Sequence, residues 1–387
     1  MRIAYIIPVL SSGGAETLLT AIIEELHQRN HEILLICLHP HHETFYKFPN
    51  KDFILDEIKP VVTQSRVKFS ILGKTQVDNQ HYKKLITDFK PDIIHSHLFE
   101  AEIVARSYIY AQAKYFSHGH DNMIQLKKWS SETIKNKINI SNYVERSWLI
   151  KQYKKSNTTF IAISKDVNDY LKFNLPKVLG DRVHIVKNGF NFERYFVARA
   201  FKIQNSQQIN MVSVGNLVKK KNHNFLIDIA LELRKRKINF HFDVLGFGPL
   251  KEVLQTRINE NHLENEIILH GNVGNVREFM AKADLYVHPA TYEPFGLVLL
   301  EAMAAGLPVI TLDGSGNRDI MENGRNGYLI GEQNPITFAD TIFDTWNDEK
   351  KYAKMSELAQ QYSSEYDIAI YVDLLENLYN RTDLKAN

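Results

Sequence analysis

The stretch TYEPFGLVLLEAMAAGLPV, residues 291–309, decides the fold of this 387-residue chain. It follows an apolar run that ends at His288, as a buried strand would. Pro294 suits the first turn of a helix, because its missing N–H would be unpaired there in any case. Gly306 is placed to end that helix, and a further apolar run starts at Pro308. The pattern predicts a strand, a helix and a strand in succession, which is typical of a parallel sheet covered by helices.

The same alternation extends along the chain in both directions. Short apolar runs predict strands at residues 3–9, 32–38, 92–97, 114–117, 160–164, 183–187, 211–215, 240–245, 267–270, 285–288, 308–312 and 328–330. Helical spacing of apolar residues is clear after the first run, at Leu18, Leu19, Ile22, Ile23 and Leu26. We therefore expect an α/β fold with two Rossmann-like, doubly wound parallel sheets that face a central cleft.

The two series of strands set the predicted domain boundaries. Residues 1–190 form the first predicted domain and residues 209–365 the second. Residues 191–208 have mixed polarity and no clear period, so we predict a linker there. Residues 366–387 carry a helical pattern that is expected to cross back onto the first domain.

Composition narrows the class of protein. With 44% hydrophobic and 24% charged residues, the chain can bury two cores and is not typical of a disordered protein. The formal net charge of +2 gives no support for a nucleic-acid partner, and none is expected. The lone Cys37 excludes an internal disulfide and fits a reducing compartment. The apolar start is interpreted as a buried strand rather than a signal peptide, and a cytoplasmic location is expected.

The helix predicted after Pro294 has a chemistry of its own. Its first N–H groups and the positive end of its dipole form a natural anion site, and Gly296 lets a ligand approach the backbone. A helical rise from Glu293 to Glu301 would separate them by about 12 Å, which matches the span from a hexose to a ribose across a diphosphate. Two solvent-facing glutamates on an ordinary helix are the alternative.

This stretch resembles the E-x7-E signature of the retaining glycosyltransferases of family 4, which have the GT-B fold. Other segments resemble the same family, so the resemblance covers nearly the whole chain. They are Gly13-Gly14-Ala15-Glu16, residues 91–97, residues 162–165, Asn188-Gly189, residues 306–309 and residues 326–329. Each is weakly diagnostic alone, but their order and spacing together are specific. The resemblance implies an enzyme of the bacterial surface-polysaccharide or glycolipid type.

The resemblance implies that the second domain binds a nucleotide sugar. Glu293 would contact hydroxyls of the donor sugar, and Glu301 would bind the ribose. Phe295, Gly296 and Leu297 would offer main-chain contacts to phosphate and sugar.

A lysine-rich segment completes the implied donor site. Lys221 matches the lysine that neutralises the diphosphate leaving group in the family. The family's arginine, five positions earlier, is replaced by Asn216, which cannot make the forked contact of arginine. Lys221 would then act alone, unless Lys219 or Lys220 compensates. The glycine-containing segment 314–319 departs from the family pattern and receives little weight.

The first domain is implied to contribute a glycine turn and a histidine. Gly13 and Gly14 could bring backbone N–H groups to the donor phosphate or the acceptor, although an ordinary tight turn is the alternative. His118 matches the family's histidine near the reacting carbon, and His120 is its rival. The pair at residues 95 and 97 either shapes the acceptor side or packs, and the sequence does not separate these readings.

No metal and no cofactor are expected. The cluster His39-Pro40-His41-His42 lacks clear partner ligands, and the family generally works without a divalent metal. The nucleotide sugar is a substrate. The residues do not identify its base, and a UDP-sugar is expected more than a GDP-sugar. The acceptor is expected to be a saccharide or a lipid-linked molecule.

The implied reaction is transfer of a hexose-type sugar with retention. The sequence identifies no nucleophilic carboxylate for a covalent intermediate, so the resemblance points to front-face attack, with closure of the two domains excluding water. Two alternatives stay open. A catalytically inactive nucleotide-sugar-binding subunit would account for Asn216. A dehydrogenase would account for the fingerprint fragment Gly246-Phe247-Gly248, although position 251 is lysine where the third glycine belongs.

Residues 114–155 are predicted to form a basic face. Its cations are Lys114, Lys127, Lys128, Lys135, Lys137, Arg146, Lys151, Lys154 and Lys155, its acids are Asp121, Glu132 and Glu145, and its tryptophans are Trp129 and Trp148. Such a face would dock on an anionic membrane surface, near a lipid-linked acceptor. A solvated basic face is the alternative.

Overall fold

The computed structural model describes residues 1–10, 13–39, 60–69, 75–128, 137–199 and 208–381. Its strands are β1 (Arg2–Ile7), β2 (Glu32–Cys37), β3 (Val61–Val62), β4 (Arg66–Phe69), β5 (Thr75–Asp78), β6 (Ile93–His97), β7 (Lys114–Gly119), β8 (Thr159–Ala162), β9 (Val183–Ile185), β10 (Ile209–Val214), β11 (Phe240–Leu245), β12 (Ile267–Gly271), β13 (Leu285–His288), β14 (Val309–Leu312) and β15 (Gly327–Ile330). Its helices are α1 (Gly14–Gln28), α2 (Gln80–Phe89), α3 (Phe99–Ala105), α4 (Lys137–Lys155), α5 (Lys165–Asn174), α6 (Lys177–Gly180), α7 (Phe192–Tyr195), α8 (Asn224–Lys235), α9 (Lys251–Glu260), α10 (Val276–Lys282), α11 (Leu297–Ala304), α12 (Pro335–Asn347), α13 (Glu349–Ser364) and α14 (Ile368–Asn380).

The chain divides into two compact units. The first unit is Met1–Asn188 with Ala369–Asn387, and the second is Gly189–Ile368. Within the first unit, an ion pair and a pair of buried tyrosine hydroxyls join helix α14 to the N-terminal part of the chain. The Arg29 guanidinium lies 2.6 Å from a Glu376 carboxylate oxygen, and the hydroxyls of Tyr5 and Tyr379 lie 3.0 Å apart. The last part of the chain therefore folds with the first.

The first unit is built on a parallel sheet. Its strand order is β3-β2-β1-β6-β7-β8-β9, and each neighbouring pair is parallel. Residues 3–7 of β1 are completely buried, as expected for a central strand with helices on both faces. The chain reverses its direction of strand addition between β1 and β6, which makes the carboxyl ends of these two strands the crevice of the sheet. A separate antiparallel hairpin pairs β4 with β5.

The second unit repeats the design. Its order is β12-β11-β10-β13-β14-β15, again with parallel pairs, and its crevice lies at the carboxyl ends of β10 and β13. An apolar cluster beneath the sheet includes Phe225, Leu233, Phe242, Leu285 and Phe338. The prediction of two doubly wound parallel sheets is confirmed.

Local structure departs from the sequence patterns in the segment predicted to be a linker. The polar stretch 191–208 contains helix α7, and beyond it the Arg199 side chain donates to the carbonyls of Met280 and Ala283, so residues 192–199 pack within the second unit. Residues 200–207 lie outside the described part.

Among the described helices, none has both the length and the apolar character needed to cross a bilayer.

Candidate active site

The candidate site of the second unit lies where the loops after β10 and β13 meet. The Thr291 amide donates to the Lys220 carbonyl at 2.9 Å, and the Asn222 side-chain amide donates to the Pro289 carbonyl at 3.1 Å. These bonds join the two loops at the switch point of the sheet, the place where open parallel sheets bind ligands. The chain thus brings residues 216–222 beside residues 289–297, although about 70 residues separate them in sequence.

Glu293 is the centre of this site. Its carboxylate is buried, and one oxygen, Oε2, accepts from Lys221 Nζ at 2.5 Å and lies 3.1 Å from His288 Nε2. Burial by itself would raise the pKa of Glu293, but the charge of Lys221 and the His288 hydrogen bond outweigh burial and hold the pKa well below the usual range. The carboxylate is therefore ionised at neutral pH.

His288 orients Glu293 from the end of β13. Burial lowers the pKa of His288, so the ring is neutral, and its Nε2 must carry the hydrogen that it donates to the carboxylate. Its Nδ1 lies 3.4 Å from the Tyr286 hydroxyl, which in turn bonds to the backbone of Val214 on β10. The sequence patterns marked His288 only as a strand end. Nothing in its spacing indicated this contact.

The segment around Pro294 differs from the prediction. Helix α11 begins at Leu297, after Gly296 at φ 103°, so Pro294 precedes the helix and the prediction of a first-turn proline is wrong. Glu293 is extended instead, and its amide donates to the Gly314 carbonyl at 2.8 Å. The helical rise of about 12 Å between the two glutamates consequently does not apply.

The segment 314–319, given little weight from sequence, supports Glu293 directly. The Gly316 amide donates to the Glu293 carbonyl at 3.0 Å. A Cβ atom on Gly316 would lie 1.9 Å from the Pro294 carbonyl oxygen, so only glycine allows this approach. Asn317 is buried and holds the loop, accepting from the Gly314 amide at 2.9 Å.

Glu301 lies in the middle of α11 and is only partly exposed. Burial raises its pKa to about 7, and the nearby Tyr195 side chain and the charge of Arg194 offset part of that rise. Tyr195 was not singled out from sequence, because it lies in the stretch predicted to be a linker. The two glutamates thus have different partners in the same unit.

The other residues of the second unit that were predicted for the donor site lie in or directly after the same two loops. Phe295 is buried, with its ring 6.2 Å from that of Tyr366, so only its main chain can meet a ligand. Leu297 is the first residue of α11 and is partly buried. Asn216 is exposed, and Lys220 lies over the Tyr292 ring at 5.4 Å.

The dehydrogenase-like fragment has a packing role. A Cβ atom on Gly246 would lie 1.9 Å from the Gly215 carbonyl oxygen, and one on Gly248 would lie 2.5 Å from that of Leu217. Both glycines follow β11, whereas a dinucleotide fingerprint follows the first strand of the fold, here β10. The fragment therefore lets one loop pack closely on another.

In the first unit, the predicted glycine turn begins α1. Gly13 is its N-cap, and a Cβ atom there would lie 2.4 Å from a carboxylate oxygen of Glu16. A Cβ atom on Gly14 would meet nothing within 4 Å. The Glu16 carboxylate thus lies against the turn that was predicted to contact the donor phosphate or the acceptor. Residues 11 and 12 of the loop are outside the described part.

His118 lies in a column of buried rings that we call the histidine column, formed by His95, His97, His118 and His120. Strands β6 and β7 pair with His97 opposite His118, so alternate residues of both strands share one face. The rings of His118 and His120 stack at 4.2 Å and 9°. The Tyr379 hydroxyl of α14 lies 2.6 Å from His95 Nδ1, and His97 Nδ1 lies 2.8 Å from His120 Nε2.

The histidine column is neutral. Burial lowers the pKa of His118 well below its usual value, and neighbouring histidines lower it further, with Asn188 opposing the shift. The same cause lowers the pKa of His95 and His97, and brings that of His120 to about 3. His118 can therefore exchange neutral hydrogen bonds but is not an imidazolium at neutral pH. His120, its predicted rival, belongs to the same column.

The histidine column also holds the metal-like cluster that sequence spacing missed. One ring nitrogen from each of His95, His97 and His118 lies within 4.8 Å of the others. However, His95 and His118 are stacked at 11°, and lone pairs in nearly parallel ring planes do not converge on one ion. The histidine-rich segment 39–42 was predicted not to bind metal. His39 Nε2 lies 2.9 Å from a Glu100 carboxylate oxygen, and residues 40–42 lie outside the described part.

Comparison with known proteins identifies the family of this chain. Residues 12–194 match Glycosyltransferase Family 4, and residues 198–362 match Glycosyl transferases group 1. The chain belongs to the GT-B glycosyltransferases. It is 25% identical over 320 residues to an uncharacterised glycosyltransferase of Methanocaldococcus jannaschii, MJ1178, with 78% of this chain and 86% of the relative covered.

Two further likenesses are informative. The poly(glycerol-phosphate) alpha-glucosyltransferase of Bacillus subtilis is 24% identical over 82% of this chain, which spans 43% of that relative. The crystal structure of Anabaena Alr3699/HepE with UDP and glucose superimposes with a TM-score of 0.75 at 21% identity, covering 98% of this chain and 100% of the other. At this identity the superposition shows the fold alone, and it confirms the GT-B fold class with two Rossmann-like domains.

Proposed function

We propose that this glycosyltransferase moves a hexose-type sugar, with retention, from a nucleotide-diphosphate sugar to a saccharide or lipid-linked acceptor. The observation that carries the proposal is the buried cluster of Lys221, Glu293 and His288 at the switch point of the second sheet. It fixes one cation and one ionised carboxylate where a parallel sheet binds its ligand.

Lys221 is the proposed stabiliser of the leaving diphosphate. Its ammonium has three N–H donors, and one of them is used by Glu293. A phosphate oxygen beside the start of α11 would take a second donor and also meet the positive end of the helix. Negative charge grows on the diphosphate as the sugar leaves, so a fixed cation at this point lowers the barrier.

Glu293 is proposed to hold the donor sugar. An ionised carboxylate only accepts hydrogen bonds, so it is matched to sugar hydroxyls. Its low pKa excludes a role as proton donor at neutral pH. Front-face attack needs no such donor, because the departing phosphate oxygen takes the proton of the acceptor. The unit then supplies position and charge.

The donor is proposed to be a UDP-sugar, and the acceptor a surface saccharide or its lipid-linked precursor. The HepE structures contain UDP and UDP-glucose, which supports the base. Relatives named for poly(glycerol-phosphate) and poly(ribitol-phosphate) support a polymeric acceptor. His118, with the turn at Gly13 and Gly14, is the proposed contribution of the first unit.

Thermal unfolding in a panel of UDP- and GDP-sugars tests the donor. A ligand that binds only the folded state, at 100 times its Kd, stabilises by about 2.7 kcal/mol. We expect a UDP-sugar to raise Tm and Lys221→Met to remove most of the rise. Lys235→Met, an exposed lysine on α8, is the matched control. A panel without any shift in the wild type would contradict the proposal.

One observation favours the alternative, a catalytically inactive nucleotide-sugar-binding subunit. Asn216 is exposed and uncharged at the position of the family's arginine. Donor binding without transfer across a broad acceptor panel would establish that alternative. Turnover that appears only in Asn216→Arg would also assign the loss to this residue.

We also propose that the first unit docks peripherally on an anionic membrane, which would place the enzyme at the inner face of the cell membrane. The structure revises the predicted basic face. Arg146 donates to the carbonyls of Leu126 and Asn174, and Lys114 donates to that of Tyr379, so these two cations bond within the protein. Trp129, Glu132 and Lys135 lie outside the described part.

The supporting residues are two exposed apolar side chains and the lysines near them in the chain. Ile124 and Phe173 are 67% and 69% exposed. Lys128 lies 4.9 Å above the Phe173 ring, and Lys127 and Lys172 are exposed beside them. Apolar side chains ringed by cations are the composition that inserts at a lipid interface.

Flotation with vesicles containing phosphatidylglycerol tests this docking. The double variant Ile124→Ser and Phe173→Ser should reduce vesicle binding about tenfold, because it removes two inserted apolar side chains. Phe247→Ser, which is equally exposed on the second unit, should bind like the wild type. If the wild type shows no vesicle binding, or binding that added salt does not weaken, the membrane proposal is rejected. The transferase proposal is unaffected by that result.

A further inference from the structure

The last turn of helix α14 lies against the histidine column. Tyr379 is buried there, and its ring meets the rings of His95 and Phe116 edge to face, with centroids 5.9 and 4.8 Å away. The Lys114 ammonium, at the start of β7, donates to the Tyr379 main-chain carbonyl at 2.6 Å. Both the ring and the backbone of Tyr379 are therefore held by the sheet of the first unit.

Tyr379 is the middle member of a buried chain of hydrogen bonds. Its hydroxyl lies 3.0 Å from the Tyr5 hydroxyl and 2.6 Å from His95 Nδ1. Burial raises the pKa of both phenols and lowers the pKa of His95, so all three side chains are neutral at pH 7. Each of them then has a single polar hydrogen to donate.

The count of donors and acceptors sets the direction of this chain. If Tyr5 donates to Tyr379 and Tyr379 donates to His95 Nδ1, only the hydrogen on His95 Nε2 lacks a partner among the described residues. In the reverse direction the Tyr5 hydrogen and the Nε2 lone pair would both lack one. Buried polar groups without a partner are costly, so the first direction is favoured. The Tyr379 hydroxyl thus places the hydrogen of His95 on Nε2.

His95 is one of the two rings between which His118 lies. The His118 ring stacks on His95 at 5.2 Å and 11°, and on His120 at 4.2 Å and 9°. Neither ring nitrogen of His118 is used by a hydrogen bond of normal geometry within the described residues, so its orientation depends on these two rings. A hydrogen bond holds each of them, to Tyr379 on one side and to His97 on the other.

We infer that Tyr379 is a positioning residue for His118, because its hydroxyl fixes the tilt and the tautomer of the His95 ring on which His118 stacks. The inference rests on the proposed function, since it concerns the contribution proposed for His118 to sugar transfer. It extends that function to helix α14, for which the sequence predicted only a crossing onto the first domain.

Kinetics and NMR together test the inference. Tyr379→Phe removes the hydroxyl and keeps the ring. We expect kcat to fall about three- to tenfold, the loss that one hydrogen bond accounts for. The donor KM should stay unchanged, since the donor is proposed to bind the second unit. Proton–nitrogen spectra of protein made with isotope-labelled histidine report which ring nitrogen has the proton. The His95 signals, identified by their absence from His95→Phe, should change from the Nε2–H form to a mixture of tautomers.

A matched control separates positioning from the loss of a buried hydroxyl. Tyr371 lies on the same helix and is equally buried, but its hydroxyl has no hydrogen-bond partner among the described residues. Tyr371→Phe should therefore leave kcat and the His95 signals unchanged. In the His95→Phe background, Tyr379→Phe should cause no further loss of kcat, because the two changes remove the same hydrogen bond.

Three results would overturn the inference. They are a His95 tautomer that Tyr379→Phe does not change, a tautomer change without any fall in kcat, and an equal fall of kcat in Tyr371→Phe. Unchanged signals from the other histidines show that the variant is folded. Wild-type protein that binds no UDP-sugar would instead overturn the proposed function, and the His95 signals would still report whether Tyr379 sets the state of that ring.

Discussion

Glu293 and Glu301 lie eight residues apart on one loop and helix, yet the protein shifts their protonation in opposite directions. Burial raises the pKa of both carboxyls. At Glu293 a lysine and a histidine reverse that effect, whereas at Glu301 the Tyr195 phenol and the charge of Arg194 offset only part of it. The partner therefore decides the charge state, and similar burial gives one permanently ionised carboxylate and one that titrates near neutrality.

The difference fits two different tasks. In the proposed function Glu293 lies beside the reacting sugar and would have to keep its charge while the diphosphate leaves, and the contact with Lys221 favours this. The ribose-binding role proposed for Glu301 would only require binding, so its charge can depend on pH. The comparison predicts that variants at the two positions change different kinetic parameters.

The largest expected effect is on turnover at Glu293. Glu293→Gln removes the charge that holds Lys221 and one of the two oxygens proposed to accept from the sugar hydroxyls, so kcat should fall about 10²- to 10³-fold. Glu301→Gln is the matched control, and it should raise the donor KM with a smaller change in kcat. Steady-state kinetics over donor concentration measures both parameters. Equal loss of kcat in both variants would contradict the division of tasks.

The sequence predicts the two sheets and the positions of the two glutamates better than it predicts the side chains that contact them. The alternation of apolar runs fixed the two sheets because parallel strands buried on both faces leave a strong local signal. The positions of Glu293 and Glu301 came from one contiguous stretch. Their partners did not, since Lys221 lies 72 residues before Glu293 and Tyr195 more than 100 residues before Glu301.

The local sequence pattern also failed to predict the backbone conformation around Glu293. Pro294 is compatible with a helix start, and the sequence prediction followed that preference. The backbone pairs with residues 314–316 instead, because Gly316 allows a close approach that no local signal reports. Sequence likewise predicted His118 as a site residue but did not predict the histidine column. The stacking of these rings depends on the register of β6 against β7, which the sequence pattern does not report.

The next effect in size is on stability. The folded-state pKa of Glu301, about 7, exceeds its ordinary value of 4.5, so folding favours the protonated form. The stability that this shift contributes is present below about pH 4.5 and is lost as pH rises through 7. Glu301→Gln avoids the loss, and unliganded protein should gain about 1–3 kcal/mol at pH 8 and nothing at pH 4.5.

Thermal unfolding at the two pH values measures that gain. Glu293→Gln is the opposite case, because a depressed carboxyl pKa contributes stability that is present above the unfolded pKa and lost as pH falls. It also leaves Lys221 partly buried without its anion, so Tm should drop at pH 8. A Glu301→Gln protein that is no more stable than the wild type at pH 8 would show that the carboxyl is not strained by burial.

The smallest expected effect is the change in kcat/KM when the hydrogen bond from His288 to Glu293 is removed. Lys221 supplies most of the charge, and the neutral His288 adds one N–H bond to the same oxygen. His288→Leu should therefore cost about 1 kcal/mol of transition-state stabilisation, roughly a fivefold loss of kcat/KM. His288→Gln keeps an N–H donor and should recover most of that loss at pH 7. If leucine and glutamine lower kcat/KM equally, the ring acts by filling space at the end of β13, and Lys221 alone sets the charge of Glu293.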